Sequence, residues 1–273
     1  MNNLLYKVRT IIETNEEKLD KTGELFNLIS LLGMEHNERY THSNIITELL
    51  NPKGSHGFGN VFLQLFLENL KITGFQIEDC RIITEEYAGS INCSDGNTIR
   101  TFLDIVIKEK SGRVILIENK IWAEDQHLQI ERYFDAYKDK IVKLFYLNVN
   151  EWNDCPTTRT DVSSVFQNIS YKNEINSWLQ ECLKNSKEKA LVHYQIQAYK
   201  NIVTKISNQN IYYKMSKEIK NTITESLINF ESAKEIAENY NLINNEITST
   251  FFSKLKILLN DGEIITKYGD VKY

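Results

Sequence analysis

Two short, mostly apolar runs joined by one turn constrain the fold of this chain more than any other feature. Thr101–Lys108 and Arg113–Lys120 are separated by a turn that contains Ser111-Gly112. Runs of this length with a glycine-containing turn between them predict a β-hairpin. A segment with helical spacing follows, and we predict a helix over Trp122–Lys138. Strand, strand and helix in this order indicate an α/β protein.

Three charged side chains interrupt the two apolar runs: Asp104 in the first, and Glu118 and Lys120 in the second. Because successive side chains of a strand point to opposite faces, Glu118 and Lys120 share one face and Asn119 takes the other. The same alternation predicts that Asp104 shares a face with Phe102 and Val106. Burying charges inside apolar runs is costly unless something compensates, so the pattern indicates a functional site.

The pairing of the two strands depends on the length of the turn. If Lys110–Gly112 forms a three-residue loop with Gly112 in the left-handed conformation, Asp104 lies directly opposite Glu118. A two-residue loop would instead pair Asp104 with Asn119. In the first register the two carboxylates lie about 5 Å apart at Cβ, where like charges repel. A divalent cation such as Mg²⁺ or Mn²⁺ would offset this repulsion, since both ions prefer oxygen ligands.

These residues resemble a known signature. Asp104 followed by Glu118-Asn119-Lys120 is similar to the D…(D/E)xK motif of the PD-(D/E)XK nuclease superfamily, with Leu103 in the place of the proline. The segment Gln129–Tyr133 resembles the QxxxY motif that one branch of the superfamily carries on the following helix.

An upstream segment carries a second resemblance. It is similar to the HS…LL(D/N)P…GSHG pattern of a prokaryotic, defence-linked group of PD-(D/E)XK proteins, and it comprises Thr41–Ser43, Leu49–Pro52 and Gly54–Gly57. Together the two resemblances extend over residues 25–205.

The resemblance implies roles for five residues of the hairpin and helix. Asp104 and Glu118 are expected to bind Mg²⁺ or Mn²⁺, together with the main-chain carbonyl of Asn119. The Lys120 ammonium would orient the attacking water or neutralise charge that develops on the phosphate. Gln129 and Tyr133 would hold a water molecule or a phosphate oxygen, since an amide and a phenol do so without displacing metal ligands.

Several further side chains are weaker candidates. His42, Ser43 and Gln126 are expected to contact substrate, although a histidine at a helix start is also a common structural hydrogen-bonding group. An additional metal ligand could come from an acid of the N-terminal helices or of the first strand, where the alternative is a solvated surface position. These acids are Glu35, Glu48, Glu85 and Glu86.

The predicted fold is a restriction-endonuclease-like α/β core, in which helices flank a mixed central sheet of about four strands, with a helical C-terminal extension. We assign residues 1–75 to an N-terminal helical part packed on the core, 76–206 to the nuclease core and 207–273 to the extension. The last residues, 261–273, alternate like the start of a further β element.

Spacing and turn signals place the remaining elements. A helical stretch over residues 3–32 breaks at Gly23, and the next helix starts with Thr41 or Ser43 as its N-cap. The other expected elements are strands at Arg81–Tyr87 and Ile141–Val149, a hairpin connection at Ala88–Asn97, and helices at Asn60–Leu70, Tyr171–Leu183, Leu191–Ile206 and, as a pair, Tyr212–Leu259.

Composition sets limits on location and partners. The four cysteines form no CxxC pair, which is typical of free thiols in a reducing compartment. No apolar run approaches the roughly 20 residues of a membrane span, and the N-terminus lacks the apolar core of a signal peptide. We therefore expect a cytoplasmic protein without a membrane partner. The net charge of −5 argues against nucleic-acid binding through overall charge, but not against a local basic groove.

The leading hypothesis is a metal-dependent nuclease that hydrolyses phosphodiester bonds in DNA, with a role in bacterial phage defence extrapolated from the resemblance. A homodimer is compatible with the sequence, which does not define the oligomeric state. The alternatives are an inactive PD-(D/E)XK-like protein that binds nucleic acid, a protein-interaction module in which Glu118 and Lys120 form a structural ion pair, and a metal-dependent hydrolase with another substrate.

Overall fold

The computed structural model describes residues 2–23, 26–92, 98–121, 128–150, 157, 159–208 and 211–259. The chain divides into two compact units, of which one comprises residues 18–213 and the other comprises residues 1–17 with 214–273. The first unit contains the β-sheet and all the candidate site residues that the structure describes. The domain boundaries at residues 75 and 206 stay a prediction.

A mixed sheet organises the larger unit. In the described part of the chain its strands are β1 (Arg81–Asn92), β2 (Thr98–Lys108), β3 (Val114–Lys120), β4 (Ile141–Asn148) and β5 (Phe166–Ser170), and they lie in this order across the sheet. The first three are antiparallel neighbours, whereas β4 runs parallel to β3 and β5 runs parallel to β4. This confirms the predicted α/β class with a mixed sheet.

The described residues also form helices before, between and after the strands. They are α1 (Asn2–Thr22), α2 (Leu28–Leu31), α3 (Asn44–Leu50), α4 (Val61–Asn69), α5 (Gln129–Tyr137), α6 (Thr160–Ser163), α7 (Asn176–Asn185), α8 (Ala190–Ile206), α9 (Ile211–Thr224) and α10 (Leu227–Leu259). Two π-helical turns, Glu38–Ser43 and Tyr171–Ile175, lead directly into α3 and α7. The two predicted C-terminal helices are thus present as α9 and α10.

The hairpin between β2 and β3 has the three-residue loop. Gly112 is left-handed with a φ of 91°, and the N–H of Glu109 donates to the carbonyl of Arg113 at 3.0 Å. The ladder then pairs Lys108 with Val114 and continues to Ile105 and Ile117. One further step in this register sets Asp104 opposite Glu118, so the first of the two predicted pairings is confirmed.

Apolar side chains cover both faces of the sheet. On one face, alternate residues of β2 and β3 pack against α3, α4, α7 and α8, and on the other face the intervening residues pack against α5. Trp178 lies fully buried in the first layer and donates its indole N–H to the carbonyl of Phe62 at 2.9 Å. Each fully buried side chain of this size contributes about 1.5–3 kcal/mol, so the two layers hold the strands in place.

The alternation of β2 breaks at Asp104. Leu103 belongs to the same apolar layer as Val106, although strict alternation would place these two on opposite faces, and Phe102 is 43% exposed. The predicted shared face of Phe102 and Val106 is therefore wrong. The reason lies in the neighbouring strand, where Glu85 has a φ of 54° and interrupts the pairing of β1 with β2 opposite Asp104.

Some predicted boundaries also differ. Ser43 occupies the N-cap position of α3, one of the two predicted positions, but its hydroxyl makes no capping hydrogen bond. The π-helical turn before α3 is capped instead by Asn37, whose side chain accepts from the N–H of Tyr40. β1 continues to Asn92 through a bulge between Tyr87 and Gly89, where a connection was expected.

Two further boundaries depend on local backbone geometry. The described part of α5 begins at Gln129, because Leu128 before it is left-handed with a φ of 50°. The additional strand, β5, was not predicted, since its short sequence includes the polar residues Gln167 and Asn168. Residues 261–273, expected to begin a β element, lie outside the described residues.

The smaller unit consists of the first residues of α1 with most of α9 and all of α10. Lys7 and Glu225 form an ion pair at 2.8 Å within it. Across the described residues, no helix combines the length and the apolar character that crossing a bilayer demands.

Candidate active site

Asp104 lies at the point where the β1–β2 and β2–β3 ladders lose their regular pairing. Its Oδ2 accepts the main-chain N–H of Asn119 at 2.7 Å, so a side chain here replaces the usual main-chain partner. Its Oδ1 has no hydrogen-bond partner among the described residues, and the carboxyl is only partly buried. One oxygen of Asp104 is therefore fixed and the other is available to a ligand.

Glu118 lies opposite Asp104 and is almost completely buried, with 3% of its surface exposed. Its Oε1 accepts the Gln129 amide at 2.6 Å and lies 3.1 Å from the Lys120 ammonium. Its Oε2 accepts the Tyr133 hydroxyl at 2.7 Å. Three donors thus hold one carboxylate, which leaves part of its accepting capacity unused.

Gln129 and Tyr133 occupy one face of α5, one turn apart, and this face packs on the sheet. The Gln129 amide donates to Glu118 and also to the Tyr133 oxygen, which lies 2.6 Å away. The Tyr133 hydroxyl additionally lies 2.9 Å from the carbonyl of Phe102. Gln129 and Tyr133 thus lie on the same face of α5, while Gln126 lies outside the described residues.

The pKa values of the Asp104 and Glu118 carboxyl groups are both raised. Burial, followed by the charge of Asp104, raises the pKa of Glu118 to about 8. Burial is also the largest cause that raises the pKa of Asp104 to about 6, and the hydrogen bond from Asn119 only partly opposes it. Burial raises the pKa of Tyr133 well above its ordinary value, so its phenol stays protonated and donates. A cation at this point would favour ionisation of both carboxyl groups.

Glu38, at the start of the first π-helical turn, is an acid near the site that the sequence did not single out. Its Oε1 accepts the N–H of Ile121 at 2.6 Å, directly after Lys120, and its charge contributes to raising the pKa of Asp104. The Asn37 cap followed by an acid in the first turn was the available signal, and it was missed because the helix start was placed later.

The other candidate acids differ in their surroundings. Glu85 lies 3.3 Å from the Arg39 guanidinium, and its charge also raises the pKa of Asp104. Glu35 forms an ion pair with Lys205. Glu48 accepts hydrogen bonds from the hydroxyl and the N–H of Ser55. Of these three acids, Glu85 resembles Glu38 in that its charge raises the pKa of Asp104.

Glu86 takes a different partner from Glu85. It interacts with the hydroxyl of Tyr137, and its Oε2 is buried without a partner among the described residues. Its charge is not among the main causes that raise the pKa of Asp104 or of Glu118. Whether it or any other acid adds a metal ligand stays a prediction.

His42 and Ser43 are placed behind Asn119, on the face of β3 opposite to Glu118. Both are buried, and Ser43 Oγ accepts the Asn119 amide at 3.0 Å. Both ring nitrogens of His42 have protein partners, namely the Tyr199 hydroxyl at 3.0 Å and the Glu35 carbonyl at 2.8 Å. The contact of His42 and Ser43 with substrate stays a prediction. Their hydrogen bonds to protein groups favour a role in holding the interior together.

Comparison with protein families adds a decisive observation. Residues 26–201, which include the whole sheet and every described candidate residue, match the family model of the PD-(D/E)XK nuclease superfamily. The chain belongs to the PD-(D/E)XK nuclease superfamily. No curated protein and no solved structure matches the chain significantly. The predicted resemblance is thereby confirmed, and the mixed sheet flanked by helices is the restriction-endonuclease-like fold.

Enzymes of the PD-(D/E)XK superfamily typically use divalent metal ions, and the donor set of this chain fits such an ion. Asp104 and Glu118 supply carboxylate oxygens, which Mg²⁺ and Mn²⁺ prefer. The raised pKa values of both groups and the unpartnered Oδ1 of Asp104 are the features expected of a cation site. Among the described residues, no group of three or more His, Cys, Asp or Glu side chains could hold a metal ion.

Proposed function

We propose that this chain is a metal-dependent nuclease that hydrolyses phosphodiester bonds in DNA. One observation carries the proposal: the β2–β3 register, followed one pair beyond Ile105 and Ile117, sets Asp104 opposite Glu118, and the Lys120 ammonium lies 3.1 Å from Glu118. A buried ion pair of this kind gains little for stability alone, because desolvation offsets the attraction. Its presence in a member of a nuclease superfamily therefore favours catalysis.

In this proposal Asp104, Glu118 and the main-chain carbonyl of Asn119 hold Mg²⁺ or Mn²⁺. When bound, such an ion lowers the pKa of a coordinated water and polarises the phosphate. Asp104 presents its Oδ1, since its Oδ2 is occupied by the N–H of Asn119. The charges of Glu38 and Glu85 contribute to raising the pKa of Asp104, which makes both acids candidates for ordering metal-bound water.

Lys120 has a proposed role in both charge balance and catalysis. In the structure its ammonium neutralises part of the Glu118 charge. When a divalent cation shares that charge, the ammonium is able to donate to the attacking water or to a phosphate oxygen. Either role stabilises negative charge that increases in the transition state, as preorganised donors do in general.

Gln129 and Tyr133 orient the Glu118 carboxylate in this scheme. Each donates to a different oxygen of Glu118, which fixes the plane of the carboxylate and the lone pairs it directs outward. In other metalloenzymes, residues that hydrogen-bond to a metal ligand affect metal affinity or activity about 10–100-fold. Direct contact of either residue with a water or phosphate, as the sequence predicts, is compatible with this orienting role.

The choice of DNA as substrate, the cytoplasmic location and the role in defence rest on the sequence. The defence role follows from the segment that includes His42, Ser43 and Gly54–Gly57. A homodimer, which is compatible with the sequence, would allow both strands of a duplex to be cut.

Cleavage of supercoiled and linear DNA with Mg²⁺ or Mn²⁺ tests the nuclease. We expect the wild type to cut, and Lys120→Ala to bind metal but lose cleavage. Lys110→Ala is the matched control, since this lysine lies on the hairpin loop with its side chain 78% exposed. Wild-type protein that binds neither Mg²⁺ nor Mn²⁺ would refute the proposal, as would equal cleavage by wild type and Lys120→Ala.

A further inference from the structure

The side chain of Asn119, the middle residue of the Glu-Asn-Lys motif, is held at both ends. Its Nδ2 donates to Ser43 Oγ at 3.0 Å and approaches the carbonyl of Glu38 at 3.3 Å. Its Oδ1 accepts the hydroxyl of Tyr171 at 2.7 Å. Asn119 is almost entirely buried, so these partners come from the protein interior.

Three buried rings continue the contacts away from Asn119. The hydroxyls of Tyr171 and Tyr199 interact with each other, and the Tyr199 hydroxyl lies 3.0 Å from Nδ1 of His42. On the other side of the His42 ring, Nε2 lies 2.8 Å from the carbonyl of Glu35. The chain of contacts therefore runs from the N-terminal segment through α8 and the second π-helical turn to β3.

The direction of these bonds follows from simple chemistry. A carbonyl oxygen only accepts, so Nε2 of His42 carries the proton that it donates to Glu35. Nδ1 is then an acceptor, and the Tyr199 hydroxyl donates to it. Because the Tyr171 hydroxyl gives its proton to Asn119 Oδ1, the two phenol oxygens lie beside each other without a hydrogen bond between them. Burial lowers the pKa of His42 to about 4, in agreement with a neutral ring. His42, Tyr171 and Tyr199 are each at most 1% exposed, so a lost bond would leave a buried polar group unpaired.

We propose that Ser43 and Tyr171, with the His42 and Tyr199 rings packed behind them, form a positioning network for the peptide groups on either side of Asn119. The N–H of Asn119 donates to Asp104 at 2.7 Å, and its carbonyl is the proposed metal ligand. The network touches neither Glu118 nor Lys120 among the contacts recorded for its four members in the described residues. It accounts for the upstream His-Ser motif, and its effect on metal binding rests on the nuclease function proposed above.

Tyr171→Phe tests this network, because it removes the bond to Asn119 and keeps the ring. We expect the affinity for Mn²⁺ to fall about 10-fold or more, as for outer groups of metal sites. Cleavage at saturating Mn²⁺ should recover towards the wild-type rate, since no group in the reaction is lost. Ser43→Ala, which removes one of the two acceptors of Asn119 Nδ2, is expected to act in the same direction.

Tyr194→Phe is the matched control, since Tyr194 lies on α8 with 68% of its surface exposed. It should change neither the affinity for Mn²⁺ nor the cleavage rate. A network that only stabilises the fold would lower the melting temperature and leave the Mn²⁺ affinity of folded protein unchanged. Unchanged affinity in folded Tyr171→Phe therefore overturns the proposal.

Amide hydrogen exchange of metal-free protein separates this inference from the nuclease proposal. We expect the N–H of Asn119 to exchange faster in Tyr171→Phe than in wild type, and at the wild-type rate in Tyr194→Phe. If wild type binds no Mn²⁺, the nuclease proposal fails, and exchange alone decides whether the network positions Asn119. An unchanged exchange rate in Tyr171→Phe then overturns the network.

Discussion

Asn119 donates its main-chain N–H to the carboxylate of Asp104 at 2.7 Å, at the point where the strand ladder between them ends. In a continuous antiparallel ladder that N–H would pair with a main-chain carbonyl or point away from the neighbouring strand. The hydrogen bond from Asn119 therefore ties one oxygen of Asp104 to the strand that carries Glu118 and Lys120. The charged residues of the site are therefore positioned by the backbone of the two central strands.

Asp104→Asn should abolish Mn²⁺ binding and DNA cleavage without destabilising the metal-free protein. The amide oxygen of asparagine is able to accept the N–H of Asn119, while the like charge facing Glu118 disappears. Isothermal titration with Mn²⁺ and thermal unfolding in EDTA measure the two effects. Asp139→Asn, at an exposed position after α5, serves as the control and should behave as wild type. Retained high affinity for Mn²⁺ in Asp104→Asn would contradict the assignment.

Metal-free protein should lose stability as the pH rises from about 4 to 8. Asp104 and Glu118 have folded pKa values of about 6 and about 8, above their ordinary values of 3.8 and 4.5. These two groups bind more protons in the folded state, so they lower the free energy of unfolding as the pH rises. The lowered pKa of His42, about 4, acts in the opposite direction below pH 6.5 but is outweighed by the two carboxyl groups together. Urea unfolding in EDTA at pH 5 and pH 8 measures the difference.

Glu118→Gln isolates the contribution of the buried carboxyl to this pH dependence. The variant cannot ionise at this position, so its stability should fall less between pH 5 and pH 8 than that of wild type. Adding Mg²⁺ to wild type should restore stability most at pH 8, where protons compete least with the ion. Equal pH dependence of the two proteins in EDTA would show that the pKa of Glu118 is not raised.

Tyr133→Phe should weaken metal binding while the protein remains folded. The hydroxyl donates to Glu118 and favours its charged form, so its loss raises the pKa of Glu118 further and frees one carboxylate oxygen. An unpaired buried acceptor costs about 1–3 kcal/mol in the free energy of unfolding. We expect a loss of about 10-fold in metal affinity or activity. Metal titration and urea unfolding provide the measurements, and Tyr240→Phe, at an exposed position of α10, provides the control.

Glu38→Gln should reduce the affinity for Mn²⁺ with little effect on the fold. Glutamine retains an oxygen that accepts the N–H of Ile121, but it removes a negative charge that acts on Asp104. The pKa of Asp104 should consequently fall, and NMR of the Asp104 carboxyl carbon can follow this change. Glu35→Gln is the contrast, because Glu35 is paired with Lys205 and is not among the charges acting on Asp104. Equal Mn²⁺ affinities of the two variants would remove Glu38 from the site.

The sequence by itself determined the hairpin and the faces of β3, and it limited the strand register to two alternatives. Gly112 supports the left-handed turn that sets Asp104 opposite Glu118, and alternation separates Asn119 from its two charged neighbours. These features depend on residues close in sequence, where turn chemistry and period-two spacing act directly. The Asp…Glu-x-Lys spacing also led to the superfamily that the family match confirms.

Only the tertiary structure decided which distant residues join this motif. Glu38 approaches the end of β3, and Tyr171 and Tyr199 reach Asn119 and His42, because helices from separate parts of the chain pack on the sheet. The break in alternation at Asp104 likewise depends on the irregular backbone of Glu85 in the neighbouring strand. Sequence periodicity records which side of its own element a residue faces, whereas packing between elements fixes what that residue meets.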